Sequence, residues 1–160
     1  MLNIGRDHLI TTLFSSDGTL VERLWKFSWT YADFVLRADM LSLARLILGE
    51  AARRPQSAIA YHRSGPGNAL DGIISFVQES AHSGTLLVDD AELAAQDLWS
   101  LILSGPRDYY LHYVEERPGR ALVLRSIGHG LTVFLTVYSA NKKRDLDELQ
   151  RLIAQEQSVE

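Results

Sequence analysis

The stretch LSLARLILGEAARRPQSAIAYHRSGPG, Leu41 to Gly67, constrains the fold more than any other part of the chain. Leu41, Ala44, Leu48 and Ala51, broadened by Leu46 and Ile47, recur at the three-and-four spacing of a helix with one apolar face. This spacing predicts a helix that crosses the core. Pro55 cannot continue it, because proline lacks the N–H and disfavours a helical residue before it, so the chain turns near Arg53 and Arg54. A short second helix follows with Ile59, Ala60, Tyr61 and His62. Ser64-Gly65-Pro66-Gly67, two permissive glycines around a rigid proline, is expected to break it.

An apolar helix ending in Gly49-Glu50-Ala51-Ala52-Arg53-Arg54-Pro55, a short aromatic helix, then Gly65-Pro66 and a fresh amphipathic helix: this order resembles the C-terminal effector-binding and dimerisation domain of TetR/AcrR-type transcriptional regulators. The run GTLLVDDAELAAQDLWSLI, Gly84 to Ile102, is similar to the start of that family's first dimerisation helix. The likeness covers roughly residues 20 to 140. It implies an all-α helical bundle that is not an enzyme, forms a homodimer and senses a small molecule. Regulators of this type carry an N-terminal three-helix DNA-binding domain with a helix-turn-helix, and no such segment precedes the first effector-domain-like helix here. Met1 to Phe14 corresponds at best to the linker helix that follows that domain. DNA is therefore expected as a partner only through a helix-turn-helix domain that this sequence does not include. The chain is expected to be a fragment of such a regulator, or an effector domain alone that senses, sequesters or heterodimerises. The alternative from another class is a standalone helical small-molecule-binding protein or enzyme with an apolar pocket.

Composition agrees with one domain. A chain of 160 residues, 46% hydrophobic and 22% charged, suffices for a single core. The expected organisation is one helical domain over 1–160, with a linker-like helix at 1–18 and an added C-terminal helix at 144–156. Cysteine is absent, which removes disulfides and thiolate ligands or nucleophiles. No apolar run reads as long enough to span a bilayer, and the start MLNIGRDHLITTLF is too polar for a signal peptide, so a soluble cytoplasmic protein without a membrane partner is expected. A net charge of -4 argues against a chain whose main task is gripping phosphates.

In chain order, residues 6–14 predict a short helix with Leu9, Ile10, Leu13 and Phe14 on one side, stopped by Asp17-Gly18. Thr19 with Glu22 is a capping-box signature for the next helix, which runs to about Leu36. Leu20, Leu24, Phe27, Tyr31 and Phe34 or Val35 form its main stripe; Trp25 and Trp29 lie on nearly the opposite side. These tryptophans either pack as core or subunit-contact residues, or wall a ligand cavity or rest against a further N-terminal domain. A helix from Asn68 to Ser83 carries Leu70, Ile73, Ile74, Val77 and Ala81, with Phe76 beside them, and ends at Gly84. Asp89 or Asp90 caps a long helix with Leu93, Ala94, Leu98, Leu101 and Ile102, flanked by Trp99. In the resembling family a proline near Gly105-Pro106 sits inside a kinked helix, so this one is expected to bend and continue to about Val114. Residues 120–139 read as helix despite their β-branched content, because Ala121, Leu124, Gly128, Leu131 and Leu135 keep near-heptad spacing. Ala121 and Gly128, helped by Ser126 and Gly130, let another helix approach closely. A terminal helix capped by Asp145, with Leu146, Leu149, Leu152 and Ile153 on one face, should dock as a latch.

Catalytic and metal signals are weak. His8, His62, His82, His112 and His129 are scattered without metal-site spacing, and Asp89-Asp90 and Glu115-Glu116 read as caps and solvated charges. No Walker loop, dinucleotide-binding pattern or Gly-x-Ser-x-Gly elbow is present. No metal or cofactor is expected. The surplus of aromatics points to an apolar site between helices, with Trp25, Trp29, Tyr61, His62, Arg63, Phe76 and Trp99 as ligand-binding candidates. Tyr61, His62 and Arg63 are the polar groups placed to orient a ligand, though a core aromatic with two surface neighbours fits equally. Leu98, Leu101, Ile102, Leu124, Gly128, Leu131 and Leu135 are the expected dimer interface, a four-helix bundle made with a second copy. The competing reading makes both helices central in a monomer.

Overall fold

The computed structural model describes residues 9–15 and 17–158. Residues 6–8 of the expected 6–14 helix, and 1–8 and 16 of the linker-like segment 1–18, lie outside the described residues. What is described there is a helical turn at 9–11, with Leu9 and Leu13 buried.

Helix α1 (Leu20–Val35) starts on the expected capping box: the Thr19 side chain accepts from the Glu22 N–H, and the Glu22 carboxylate accepts from the Thr19 N–H. Its buried stripe includes Leu20, Leu24, Phe27 and Tyr31. Helix α2 (Ala38–Glu50) does not cross the core as expected. Only Leu41 and Ala44 are buried, and Leu46 and Leu48 stand 62% and 63% exposed, because α2 flanks the bundle and touches it along one narrow edge. Helix α3 (Pro55–His62) begins with Pro55 in the first turn, where the missing N–H would have had no partner anyway.

The expected break at Ser64-Gly65-Pro66-Gly67 is instead a π-helical segment, Arg63–Gly67, that carries α3 directly into α4 (Asn68–His82). The widened turn accommodates Pro66 within the helix, and Gly67 leaves room there: a Cβ would stand 3.1 Å from the His62 ring and carbonyl oxygen, closer than ordinary contact. Gly84, with φ +72°, follows α4 as expected.

Helix α5 (Ala91–His112) is capped by Asp90, whose side chain accepts from the Leu93 N–H, and passes through Pro106 without ending. Helix α6 (Arg120–Tyr138) is helical throughout. Together α5 and α6 form the most extensive helix pair. Helix α7 (Lys142–Gln157) starts earlier than expected, because Asn141 is the cap and accepts from the Arg144 N–H. Asp145 is no cap; it lies buried in the first turn, accepting from Ser139 Oγ at 2.6 Å and Arg144 Nε at 2.8 Å. The latch docks on α6 and α1 through Leu149, and Glu148 bonds the Thr19 hydroxyl that caps α1. A single bridge between Leu86 and Ser139 ties the α4–α5 loop to the α6–α7 junction.

Two corrections concern α6. By length and composition it could cross a membrane, with a mean hydropathy of 1.4 over its best window, contrary to the expectation that no run is long enough. Its apolarity has a core use, since Val123, Leu124, Ile127, Leu131, Phe134 and Leu135 are all buried between neighbouring helices. The expected dimer residues are likewise spent inside the protomer: Leu98, Ile102, Leu131 and Leu135 have no exposed surface and Leu124 almost none. The small residues do admit close neighbours, but neighbours from the same chain. Gly128 faces Ile153 of α7, Gly130 faces the α5 backbone at Leu101 and Ile102, and Ser126 Oγ donates to the Ile102 carbonyl at 2.9 Å. Of the expected interface set, only Leu101 stays half-exposed.

Candidate functional site

The helix order brings α1, α2, α5 and the α3–π–α4 run together around a cavity of about 270 Å³. Its wall is mostly apolar: Leu9, Phe34 and Val35 from the N-terminal side, Met40 and Ala44 from α2, Pro66 and Ala69 across the π segment. The π segment matters here, because keeping the chain helical through Ser64-Gly65-Pro66 lays these residues along the cavity instead of looping them into solvent.

Polar groups are few. Tyr31 of α1 is buried, stacks with Phe27 at 6.0 Å and meets Trp99 of α5 at 4.6 Å. Burial pushes its phenol well above the ordinary tyrosine range; the Arg107 guanidinium opposes this in smaller measure. Tyr61, Ser64, Trp99 and Arg107 complete the set. Apolar walls with a small number of polar groups are the composition common among small-molecule sites.

The sequence candidates divide. Tyr61 and Trp99 line the cavity. His62 and Arg63 are exposed and do not. Phe76 is a core residue, edge-on to Phe14 at 6.1 Å with Arg23 over its face. Trp25 and Trp29 pack edge to face at 6.1 Å away from the cavity, and Trp29 carries Arg120 on its ring at 4.4 Å while lining a wider groove of about 670 Å³. On that side of α1, Arg120 and the tryptophan pairing cover part of Trp29 and the groove borders the rest. The sequence pattern gives Tyr31 only as core stripe and Phe34 as stripe or surplus aromatic, and the predicted site omits Arg107. The available signal was a charge at a buried register: Arg107 falls four residues after Leu103 and three before Tyr110, both buried.

The fold is that of a solved relative. A crystal structure described as a TetR-family transcriptional regulator from Mesorhizobium loti superposes with a TM-score of 0.79 at 23% identity, covering 86% of this chain and 69% of that one. At that identity the likeness establishes the all-helical fold. The sequence profile of the AefR-like transcriptional repressor C-terminal domain matches residues 22–140, and the chain belongs to this family of TetR-type regulatory domains. No curated protein matches the chain.

Proposed function

We propose that the chain is the effector-sensing domain of a TetR-type transcriptional regulator, taking a small apolar or aromatic molecule into the cavity between α1 and α5. The supporting observation is the cavity itself. It is a recess of about 270 Å³ with mostly apolar walls, aromatic side chains and a few polar groups, the form that small-molecule sites take. The domain is read as non-enzymatic, and contact with DNA is assigned to a separate reading domain in the full regulator.

The signal would travel through α5. That helix carries Trp99 and Arg107 on the cavity side and pairs along its length with α6. A homodimer remains the proposed assembly, but with a revised surface. On α6, Leu122, His129, Val133 and Thr136 fall on one helical stripe that the protomer leaves wholly or partly open, and Leu93, Ser100 and Ser104 do so on α5. An occupant that shifts α5 against α6 would then alter how two copies meet.

The test is a fluorescence titration on a Trp25→Phe, Trp29→Phe variant, which leaves Trp99 as reporter at the cavity. Saturable change with apolar aromatic compounds, accompanied by a rise in Tm, is the expected result. Absence of both across such compounds overturns the reading.

A further inference from the structure

The cavity holds a cation without a counterion among the described residues. Among the described residues three arginines are half-buried: Arg23, Arg45 and Arg107. Arg23 donates to the Leu13 carbonyl at 3.3 Å, and Arg45 donates to the Tyr110 carbonyl at 3.0 Å and to Ser42 Oγ at 3.2 Å. Arg107 makes neither a hydrogen bond nor an ion pair with any described residue, although it carries five N–H donors. Among the described residues no aspartate or glutamate lines the cavity, and the adjacent Asp108 is exposed and turned to His112 at 3.9 Å. Tyr31, buried in the same wall, likewise leaves its hydroxyl without a protein partner among the described residues. Its raised pKa keeps it a protonated donor under ordinary conditions.

A guanidinium drawn out of bulk water without a partner is unfavourable, and the natural remedy is an anion that arrives with the ligand. Carboxylate geometry matches the guanidinium fork, which can give two parallel N–H···O bonds, and a phenol O–H can donate to the same group. We infer that the molecule this cavity takes is a small carboxylate with an aromatic or short aliphatic body, its charged end held by Arg107 with Tyr31 as second donor; this rests on the effector-binding reading above. The body would lie against Trp99, Phe34 and Met40. A space of about 270 Å³ admits a molecule on the order of ten non-hydrogen atoms, given about 30 Å³ for each water-sized volume of liquid.

Matched acids and amides separate an anion site from a merely apolar cavity. Phenylacetate with phenylacetamide, and hexanoate with hexanamide, have nearly the same shape and differ in charge. Isothermal titration at neutral pH should show each acid binding about 10- to 100-fold more tightly than its amide, the range expected for hydrogen bonds to a charged group. In Arg107→Gln that preference should vanish, with amide affinity unchanged. Tyr31→Phe should weaken the acids by a smaller factor. Because Arg107 has no hydrogen-bond or ion-pair partner among the described residues, Arg107→Gln should fold with an unchanged circular dichroism spectrum and an equal or higher Tm in the absence of ligand; a lower Tm would mean the side chain is already engaged by the protein and would overturn the inference. Equal binding of acids and amides, or an unaltered preference in Arg107→Gln, overturns the anionic inference while the cavity reading stands. Failure of all four compounds to bind overturns both.

Discussion

Gly130→Ala is the sharpest probe of how α5 and α6 meet. A Cβ at Gly130 would stand 2.6 Å from the Leu101 carbonyl carbon and 3.0 Å from Ile102 Cα, and closer still to the Leu101 oxygen. Carbon atoms in contact prefer separations of about 3.5–4.0 Å, so the overlap approaches 1 Å, and it falls on backbone that no rotamer change can move. The two helices must separate. Overpacking of this kind costs about 1–3 kcal/mol, and separation also stretches the Ser126 to Ile102 hydrogen bond, worth about 1 kcal/mol. Alanine's better helix propensity returns about 1 kcal/mol. The net expectation is a loss of about 1–3 kcal/mol, or a Tm lowered by roughly 2–12 °C for a chain of this size. Gly49→Ala is the control, since nothing lies within 4 Å of its Cβ position and the propensity gain should appear alone. Gly128→Ala should fall between them, because its Cβ would meet only the movable end of Ile153, 3.0 Å away. Urea and thermal melts of the three variants rank them directly. If Gly130→Ala proved as stable as Gly49→Ala, the close α5–α6 approach would be refuted.

Sedimentation at micromolar concentration should show a homodimer that Val133→Glu converts to monomer, whereas Gly128→Glu should stay dimeric and undock α7 instead; the opposite pattern would return the interface to the Gly128 stripe. Asp145→Ala should destabilise by about 1–3 kcal/mol in denaturant titration, because the buried Ser139 hydroxyl loses its acceptor, while Asp145→Asn should recover part of that loss. Tyr31 has a folded-state pKa raised by burial, so its contribution is intact below the unfolded value near 10 and is lost as pH climbs toward the folded value. Stability should therefore decline above about pH 10, and in Tyr31→Phe the decline should be shallower, as read by alkaline melts alongside phenolate absorbance.

Much of the helical layout was legible because its signals are local. Thr19 and Glu22 cap α1 across three residues, Pro55 is tolerated only in a first turn, and Gly84 takes a left-handed φ that other residues resist. Period alone made 120–138 a helix in spite of its β-branched residues. Where two local rules compete, tertiary context chooses: local rules predict a break at Pro66, which sits in a π turn, and a cap at Asp145, which serves as a buried acceptor in the first turn of α7.

What covers an apolar stripe was beyond any local rule. Leu98, Ile102, Leu131 and Leu135 had to be buried, but spacing along one helix cannot distinguish a neighbour from the same chain from a second copy, and the fold gave α6 to α5 and α7. The cavity lay further still from view. It exists because side chains from α1, α2, the π segment, α4 and α5 converge without filling the space, and an unfilled volume is a property of their joint placement that no one of them carries. Trp25, Trp29 and Phe76 had the size to wall it and point elsewhere; Tyr31 and Arg107 were set there by helix phase and packing. Sequence by itself determined where the chain is helical and which faces must leave water. Tertiary structure decided which faces meet, because burial is satisfied by any apolar partner and only the assembled geometry selects one.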